Sequence, residues 1–114
     1  MNIGAVLGFL SVLIGAFGAH ALKDVLTPYH KDVFQTAWNY HVVHALVLLI
    51  IPTLKLQPEH LKFCVLLFLC GVLIFSGSLY LLAITDMRWL GRITPIGGVL
   101  LLIGWAYLAI RTAS

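Results

Sequence analysis

Three of the five histidines are the residues of this sequence best suited to chemistry. His41 and His44 are three residues apart, so on a helix they lie on the same face. His20 could reach them from a neighbouring helix. Three imidazoles are sufficient to hold zinc or copper with one coordination position left open. The alternative is that each imidazole is neutral and hydrogen-bonds to a serine, a tyrosine or a backbone carbonyl, as histidine often does between membrane helices.

The surrounding sequence favours hydrogen bonding over metal binding. No Asp or Glu lies in the long apolar segments, so none is available there to orient a metal-bound imidazole. The segment Ser76-Gly77-Ser78 has no acidic residue nearby to complete a catalytic triad, and no G-x-S-x-G motif is present. We therefore predict no enzymatic activity, no metal and no cofactor. A proton-transfer or polar-ligand role for the histidines is the second alternative.

The composition is that of a membrane protein. Of the 114 residues, 61% are hydrophobic and 10% are charged, against about 25% charged in a typical soluble domain. A soluble fold of this size could not bury so much apolar surface. The net charge of +3 is small and scattered, unlike the basic surface of a nucleic-acid-binding module. These features exclude an ordinary soluble enzyme, a nucleic-acid-binding domain and a disordered segment.

Four uncharged segments are long enough to cross a membrane, since a spanning helix needs about 20 mostly apolar residues. They cover residues 3–22, 33–54, 63–85 and 93–110, and every charged side chain lies outside them. Thr27-Pro28 is a typical helix start, so the second helix is expected to begin near residue 28. Because the connections are short, we predict one all-α domain over residues 1–114, a compact antiparallel up-down bundle of four transmembrane helices.

Small residues indicate where the predicted helices approach each other closely. Apolar side chains gain nothing by leaving lipid, so membrane helices associate through faces of small residues. In the first helix these residues recur at steps of four and three, which keeps them on one face. The predicted packing positions are Gly4, Gly8, Ser11, Gly15, Gly18, Gly71, Gly97 and Gly104. We favour packing within the bundle, with a dimer interface as the alternative.

Uncharged polar residues are concentrated in one half of the predicted bundle. We call the membrane face that carries the N-terminus side A and the opposite face side B. The polar residues of the side-B half are His20, Asn39, Tyr40, His41, His44, Ser76, Ser78, Tyr80 and Thr94. This pattern predicts either a shallow polar pocket open to side B or an interhelical hydrogen-bond network. His30 and His60 fall in connections and are expected to be solvated, and Trp105 is expected toward the side-A interface.

Four motifs, in order along the chain, carry a resemblance to a known family. They are Gly15-Ala-Phe-Gly-Ala-His20, residues 40–46, Phe75-Ser-Gly-Ser-Leu-Tyr80 and Thr94-Pro-Ile-Gly-Gly98 with Gly104-Trp105 after it. Over almost its whole length the chain resembles the YgdD/YwdK-like family of small membrane proteins. The resemblance implies a four-span protein in the cytoplasmic membrane of a bacterium. It implies no activity and offers no catalytic residues.

Three functional hypotheses are compatible with these observations. The first is a structural or accessory membrane protein that acts through helix contacts or lipids. The second is a small-molecule or ion carrier that uses the His- and Ser-lined pocket, although carriers usually contain an intramembrane carboxylate. The third is a membrane enzyme acting on a lipid or quinone, for which no nucleophile or acid–base pair is evident. We favour the first, with membrane lipids as the expected partners, a homo-oligomer left open, and no nucleic acid.

Overall fold

The computed structural model describes residues 2–112, which form four long helices and two short 3₁₀ helices. The long helices are α1 (Ile3–His20), α2 (Pro28–Ile50), α3 (Pro58–Thr85) and α4 (Thr94–Thr112). The 3₁₀ helices are Ile51–Leu54, which continues α2, and Arg88–Arg92, which precedes α4. All four long helices are apolar and long enough to cross a membrane. The predicted all-α, four-span architecture is confirmed.

Each helix packs mainly against its neighbours in the chain, so α2 and α3 are central and α1 and α4 flank them. In the most apolar stretch of each span, 39% of the residues are buried in α2 and α3 but only 17% in α1 and α4. The outer faces of the flanking helices are strongly apolar, with Val12 and Leu102 each about 70% exposed. In a membrane these faces contact acyl chains.

Local sequence determines where the helices begin. Pro28 is the first residue of α2, and the Thr27 hydroxyl accepts a hydrogen bond from the backbone N–H of His30. Pro58 is likewise the first residue of α3, but the side chain of the preceding Gln57 makes no capping hydrogen bond. Proline costs nothing at a first helical position, because that backbone nitrogen has no partner within the helix.

The apolar core lies on the side-A side of the polar half of the bundle. Its buried members come from all four helices and the 3₁₀ extension of α2: Leu7, Ala45, Leu48, Ile51, Cys64, Phe68, Val72 and Leu101. Phe68 and Cys64 are fully buried at its centre. The polar side chains of the side-B half therefore adjoin a tightly packed apolar core.

Two glycines bring helix backbones into direct contact. A Cβ atom built on Gly97 would overlap the backbone nitrogen of Phe75 and lie 2.8 Å from the carbonyl oxygen of Gly71. A Cβ atom on Gly4 would lie 2.7 Å from the backbone nitrogen of Leu49. Only glycine permits these approaches between α3 and α4 and between α1 and α2.

Other small residues contact side chains of the neighbouring helix. Gly15 and Gly18 face the rings of Trp38 and Phe34. On the other side of the bundle, Gly71 faces Leu101 and Gly104 faces the ring of Phe68. Ser11 is buried, 2% exposed.

Gly8 does not belong to this packing surface, and the prediction for it is wrong. A Cβ atom on Gly8 would meet nothing within 4 Å. At about 100° per residue, Gly8 is turned about 40° from Gly4, away from the side on which the buried Leu7 lies. Sequence spacing alone treats both edges of the stripe as equivalent.

Gly97→Ala is expected to destabilise the protein, because the new methyl group would push α3 and α4 apart at the level of Phe75. Overpacking of this kind costs about 1–3 kcal/mol. Gly98→Ala is the matched control, since its methyl group would be 3.7 Å from the Phe75 ring, an ordinary contact. Thermal unfolding in detergent should show a lower Tm for Gly97→Ala only. Equal Tm values for the two variants would contradict a backbone contact at Gly97.

Candidate functional site

His41 connects three helices. Its Nε2–H donates to the backbone carbonyl of Leu7 in α1, and its Nδ1 accepts from the hydroxyl of Tyr80 in α3, both at 2.8 Å. The side chain is buried, and the residue is 5% exposed. One donated and one accepted bond are what a neutral imidazole can make.

His44 makes a separate contact, to α4. Its Nδ1–H donates to the carbonyl of Tyr40 one turn earlier at 2.7 Å, and its Nε2 accepts from the indole N–H of Trp105 at 3.2 Å. Tryptophan only donates, which fixes the tautomer of His44. The indole N–H of Trp105 is therefore turned toward the bundle, while the residue remains 44% exposed.

Serine and threonine hydroxyls complete the polar half. Ser76 of α3 donates to the carbonyl of Ala37 in α2 at 2.8 Å. The hydroxyls of Ser78 and Thr94 are 2.6 Å apart and join α3 to α4. No buried side-chain nitrogen or oxygen in residues 2–112 lacks a hydrogen-bond partner.

Three of the predicted site residues contribute no side-chain hydrogen bond to these contacts. His20 is exposed at the end of α1 and makes no hydrogen bond with the rest of the described chain. Asn39 is exposed and accepts only from Gln35 on its own helix. Tyr40 stacks its ring on His44 and contributes a backbone carbonyl.

The register between α1 and α2 explains why His20 is distant from the other histidines. His41 is level with Leu7, which precedes His20 by more than three helical turns, or about 20 Å. Within residues 2–112, no group of three or more His, Cys, Asp or Glu side chains is placed to hold a metal ion. The lone pairs of His41 and His44 already accept hydrogen bonds from protein groups.

A small cavity adjoins His41. It has a volume of about 160 Å³ and lies between α1 and α3, with His41, Ser76 and Tyr80 among its lining residues. The remaining lining is apolar apart from Gly77. Its polar groups point at protein partners, so the predicted polar half is a hydrogen-bond network with little open volume.

Two histidines that the sequence placed in solvent join helices at the ends of the bundle. On side B, the Nε2–H of His30 donates to Asp86 at 2.8 Å, and the Thr27 hydroxyl is 2.7 Å from Nδ1. On side A, Nδ1 of His60 is 2.7 Å from the hydroxyl of Tyr107. The expectation that both are solvated is wrong, because each faces a polar partner on another helix or at its end.

The backbone conformation at the end of α3 places Asp86 in contact with His30. It adopts a left-handed conformation, φ 56°, that Asp and Asn tolerate better than most residues. The hydrogen bond from His30, with a smaller contribution from Arg88, holds the pKa of Asp86 below its usual value. We call the contact of Thr27, His30 and Asp86 the side-B clamp, since it ties the start of α2 to the end of α3.

A larger cavity than the one beside His41 lies between α1 and α2. This groove has a volume of about 580 Å³ and a mostly apolar lining. Its α1 wall consists of small and aliphatic residues between Ser11 and Leu22, and its α2 wall includes Phe34 and Trp38. The indole N–H of Trp38 donates to the carbonyl of Ser11 at 2.8 Å and so holds the ring in place.

Two lysines and an amide line the side-B part of the groove: Lys23, Lys31 and Gln35. The sequence does not reveal this site, because it shows Lys23 and Lys31 only as charges outside the spans. Their presence on both sides of the α1–α2 connection was the available signal. What the sequence could not give is that both line a groove with an aromatic wall.

Comparison with known proteins gives the family of the chain. A family model described as a protein of unknown function, DUF423, matches residues 14–98. The chain belongs to the DUF423 family. The predicted resemblance is confirmed, since relatives include the UPF0382 membrane protein YwdK of Bacillus subtilis, 36% identical over 95% of this chain and 90% of that protein.

Other relatives match this DUF423 protein over a similar share of its length. UPF0382 membrane proteins of Staphylococcus epidermidis and Staphylococcus haemolyticus are 42% and 43% identical, each over 96% of this chain and 91% of their own length. No solved structure matches the chain. Bacterial relatives named as membrane proteins and four candidate spans agree with the predicted multi-pass location in a bacterial cell membrane.

His41→Leu is expected to destabilise the protein, because it removes two interhelical hydrogen bonds. The carbonyl oxygen of Leu7 loses the bond from the imidazole N–H, and the Tyr80 hydroxyl loses its acceptor. Interhelical hydrogen bonds in membranes contribute about 0.6 kcal/mol each on average, so a loss of about 1 kcal/mol is expected. Tyr80→Phe should cost less, since it removes one bond of the two. Tyr40→Phe is the control, because the Tyr40 hydroxyl makes no hydrogen bond with the described residues. An equal fall in Tm for Tyr40→Phe and Tyr80→Phe would contradict the His41 contact.

The side-B clamp should make stability depend on pH in the acid range. The folded-state pKa of Asp86 is lowered, so its contribution is complete above the unfolded-state pKa, about 3.9, and is lost as pH falls through the folded-state value. Asp86→Asn keeps the left-handed conformation but cannot ionise, and should show a lower Tm at neutral pH and a shallower loss below pH of about 4.

Asp24→Asn is the control for the clamp, since Asp24 forms no ion pair with the described residues. Melting curves between neutral and acid pH would be compared for the wild type and both variants. If Asp24→Asn flattened the acid response as much as Asp86→Asn, the response would not arise from the clamp.

Proposed function

We propose that this DUF423 protein is a non-enzymatic accessory protein of the membrane that acts by holding lipid along the groove between α1 and α2. The observation that carries the proposal is the groove itself. It is more than three times the volume of the cavity beside His41, it is mostly apolar, and it runs along spans whose outer faces are exposed. A cavity of this kind in a membrane is accessible to acyl chains.

The polar half of the bundle supports a structural role for its side chains. Each of the buried side chains His41, His44 and Ser76 bonds to a backbone carbonyl, and His41 and His44 also accept a bond from a second side chain. Groups that bind a transported solute must exchange partners during each cycle. Breaking these contacts would leave polar atoms unpaired in a low-dielectric interior, which costs about 1–3 kcal/mol for each group.

A carrier of ions or small molecules that uses the His- and Ser-lined pocket is the alternative function. The cavity beside His41 favours it, because it contains an imidazole and two hydroxyl groups. Its volume of about 160 Å³ is small, and no Asp or Glu lies in any of the predicted spans to couple transport to an ion. We therefore place function at the groove rather than at this cavity.

Ala16→Trp tests the proposal by filling the groove. Ala16 lines the groove and is exposed, so an indole there occupies the space without entering the helix contacts. Protein purified in a mild detergent is expected to retain lipid in a fixed ratio, and Ala16→Trp is expected to lose it. Lipid extracted from each preparation would be quantified by mass spectrometry.

Ala5→Trp is the matched control, because Ala5 is exposed on the same helix but does not line the groove. The control should retain as much lipid as the wild type. Wild-type protein with no retained lipid, or equal retention in both variants, would overturn the proposal. Flux of a solute into proteoliposomes that His41→Leu abolishes would establish the carrier function in its place.

A further inference from the structure

We propose that the groove is a binding site for one anionic phospholipid, with Lys23 and Lys31 bound to its phosphate and an acyl chain lying between α1 and α2. This rests on the proposed function and goes further, since it names the headgroup charge and the residues that select it. The geometry that supports it has three parts: the charge at the mouth, the depth and the walls.

The side-B end of the groove, which we call its mouth, is lined by positive charge although residues 23–32, the end of the connection and the start of α2, are neutral overall. Residues 23–32 contain two lysines and two aspartates, Lys23, Lys31, Asp24 and Asp32, and only the lysines line the groove. Neither lysine forms an ion pair with the described residues. The fold therefore separates charges that are adjacent in sequence and leaves two lysines, and no carboxylate, in the lining of one groove. Basic pockets between transmembrane helices are suited to anionic lipid headgroups.

The groove has the depth of one membrane leaflet. From Ser11 at the inner end to His20 at the end of α1, the helix rises about 14 Å, and Lys23 follows in the connection. Half of a hydrocarbon core of about 30 Å is about 15 Å. A lipid whose acyl chain lies along this wall therefore has its phosphate at the level of the lysines.

The walls suit an acyl chain. On α1 the lining residues Ala16 and Ala19 are small and exposed and leave the space that the chain occupies, while Gly15 and Gly18 allow the rings of Trp38 and Phe34 to approach closely. On α2 the ring of Trp38 presents carbon atoms to the groove, because its N–H is already bonded to Ser11. A zwitterionic headgroup would bring a cation close to two ammonium groups, so the mouth favours a net negative headgroup.

Binding of two synthetic lipids with the same acyl chains tests the proposal. Delipidated protein would be titrated with dioleoylphosphatidylglycerol or dioleoylphosphatidylcholine, and binding would be followed by native mass spectrometry and by the rise in Tm. The anionic lipid should bind more tightly to the wild type. A lysine near an anionic headgroup contributes about 1 kcal/mol, or about fivefold, so Lys23→Gln with Lys31→Gln should weaken phosphatidylglycerol binding about 30-fold.

Lys55→Gln with Lys62→Gln is the matched control. It removes the same charge from side A, outside the groove, and should leave the preference for phosphatidylglycerol unchanged. Raising the salt concentration should weaken phosphatidylglycerol binding to the wild type and leave phosphatidylcholine binding unchanged, since screening acts on charge pairs. Both lipids should lose binding to Ala16→Trp.

Three results would overturn the inference. They are equal binding of the two lipids to the wild type, an intact preference in the Lys23/Lys31 variant, and equal losses in the two double-lysine variants. In each case lipid retained by the wild type and lost by Ala16→Trp would leave the proposed function standing. Absence of any bound lipid would remove both.

Discussion

A polar atom in the hydrocarbon core has no water to bond to, and this constraint governs how the four helices are joined. Three side chains meet it in the same way, by donating to a backbone carbonyl of the neighbouring helix: His41 to Leu7, Trp38 to Ser11 and Ser76 to Ala37. A carbonyl oxygen has two lone pairs, so it can accept such a bond and keep its helical one. The contacts therefore add interhelical bonds without unwinding any helix, and they require the helices to lie close enough for a short side chain to cross.

Close approach has two different outcomes along the same stripe of small residues in α1. At Gly4 the backbone of α2 occupies the space, and the contact is tight. Toward side B, Gly15 and Gly18 are in equally close contact with the ring edges of Trp38 and Phe34, and Ala16 and Ala19 beside them are left uncovered. The packing seam thus opens into the groove. The residue type that favours helix association in lipid therefore also lines the groove, where the α2 wall consists of aromatic side chains rather than backbone.

The sequence is sufficient to predict what depends on composition and local pattern, and insufficient for what depends on register. Uncharged segments and Thr-Pro steps predict the four spans and the start of α2. The identity of hydrogen-bond partners is not predictable, because the acceptor is often a backbone carbonyl that every residue carries. His20 illustrates the point: its type and its place in a span suggest a site with His41, but the register places Leu7 at the level of His41. The segregation of Lys23 and Lys31 from Asp24 and Asp32 is equally invisible. Lys31 and Asp32 diverge by about 100° because they are neighbours on α2, whereas the directions of Lys23 and Asp24 depend on the conformation of the turn before it.

The side-B clamp and the groove are linked through the first turn of α2. His30, which donates to Asp86, is adjacent to Lys31, which lines the groove. Because the clamp fixes this turn against the end of α3, the direction in which Lys31 leaves the helix is set before any ligand arrives. The clamp also engages Asp86 with His30 and Arg88, and among the described residues this side-B carboxylate forms no ion pair with the groove lysines. Fixing a binding group in advance lowers the ordering cost of association. The contact that stabilises the end of the bundle therefore also preorganises the mouth of the proposed lipid site.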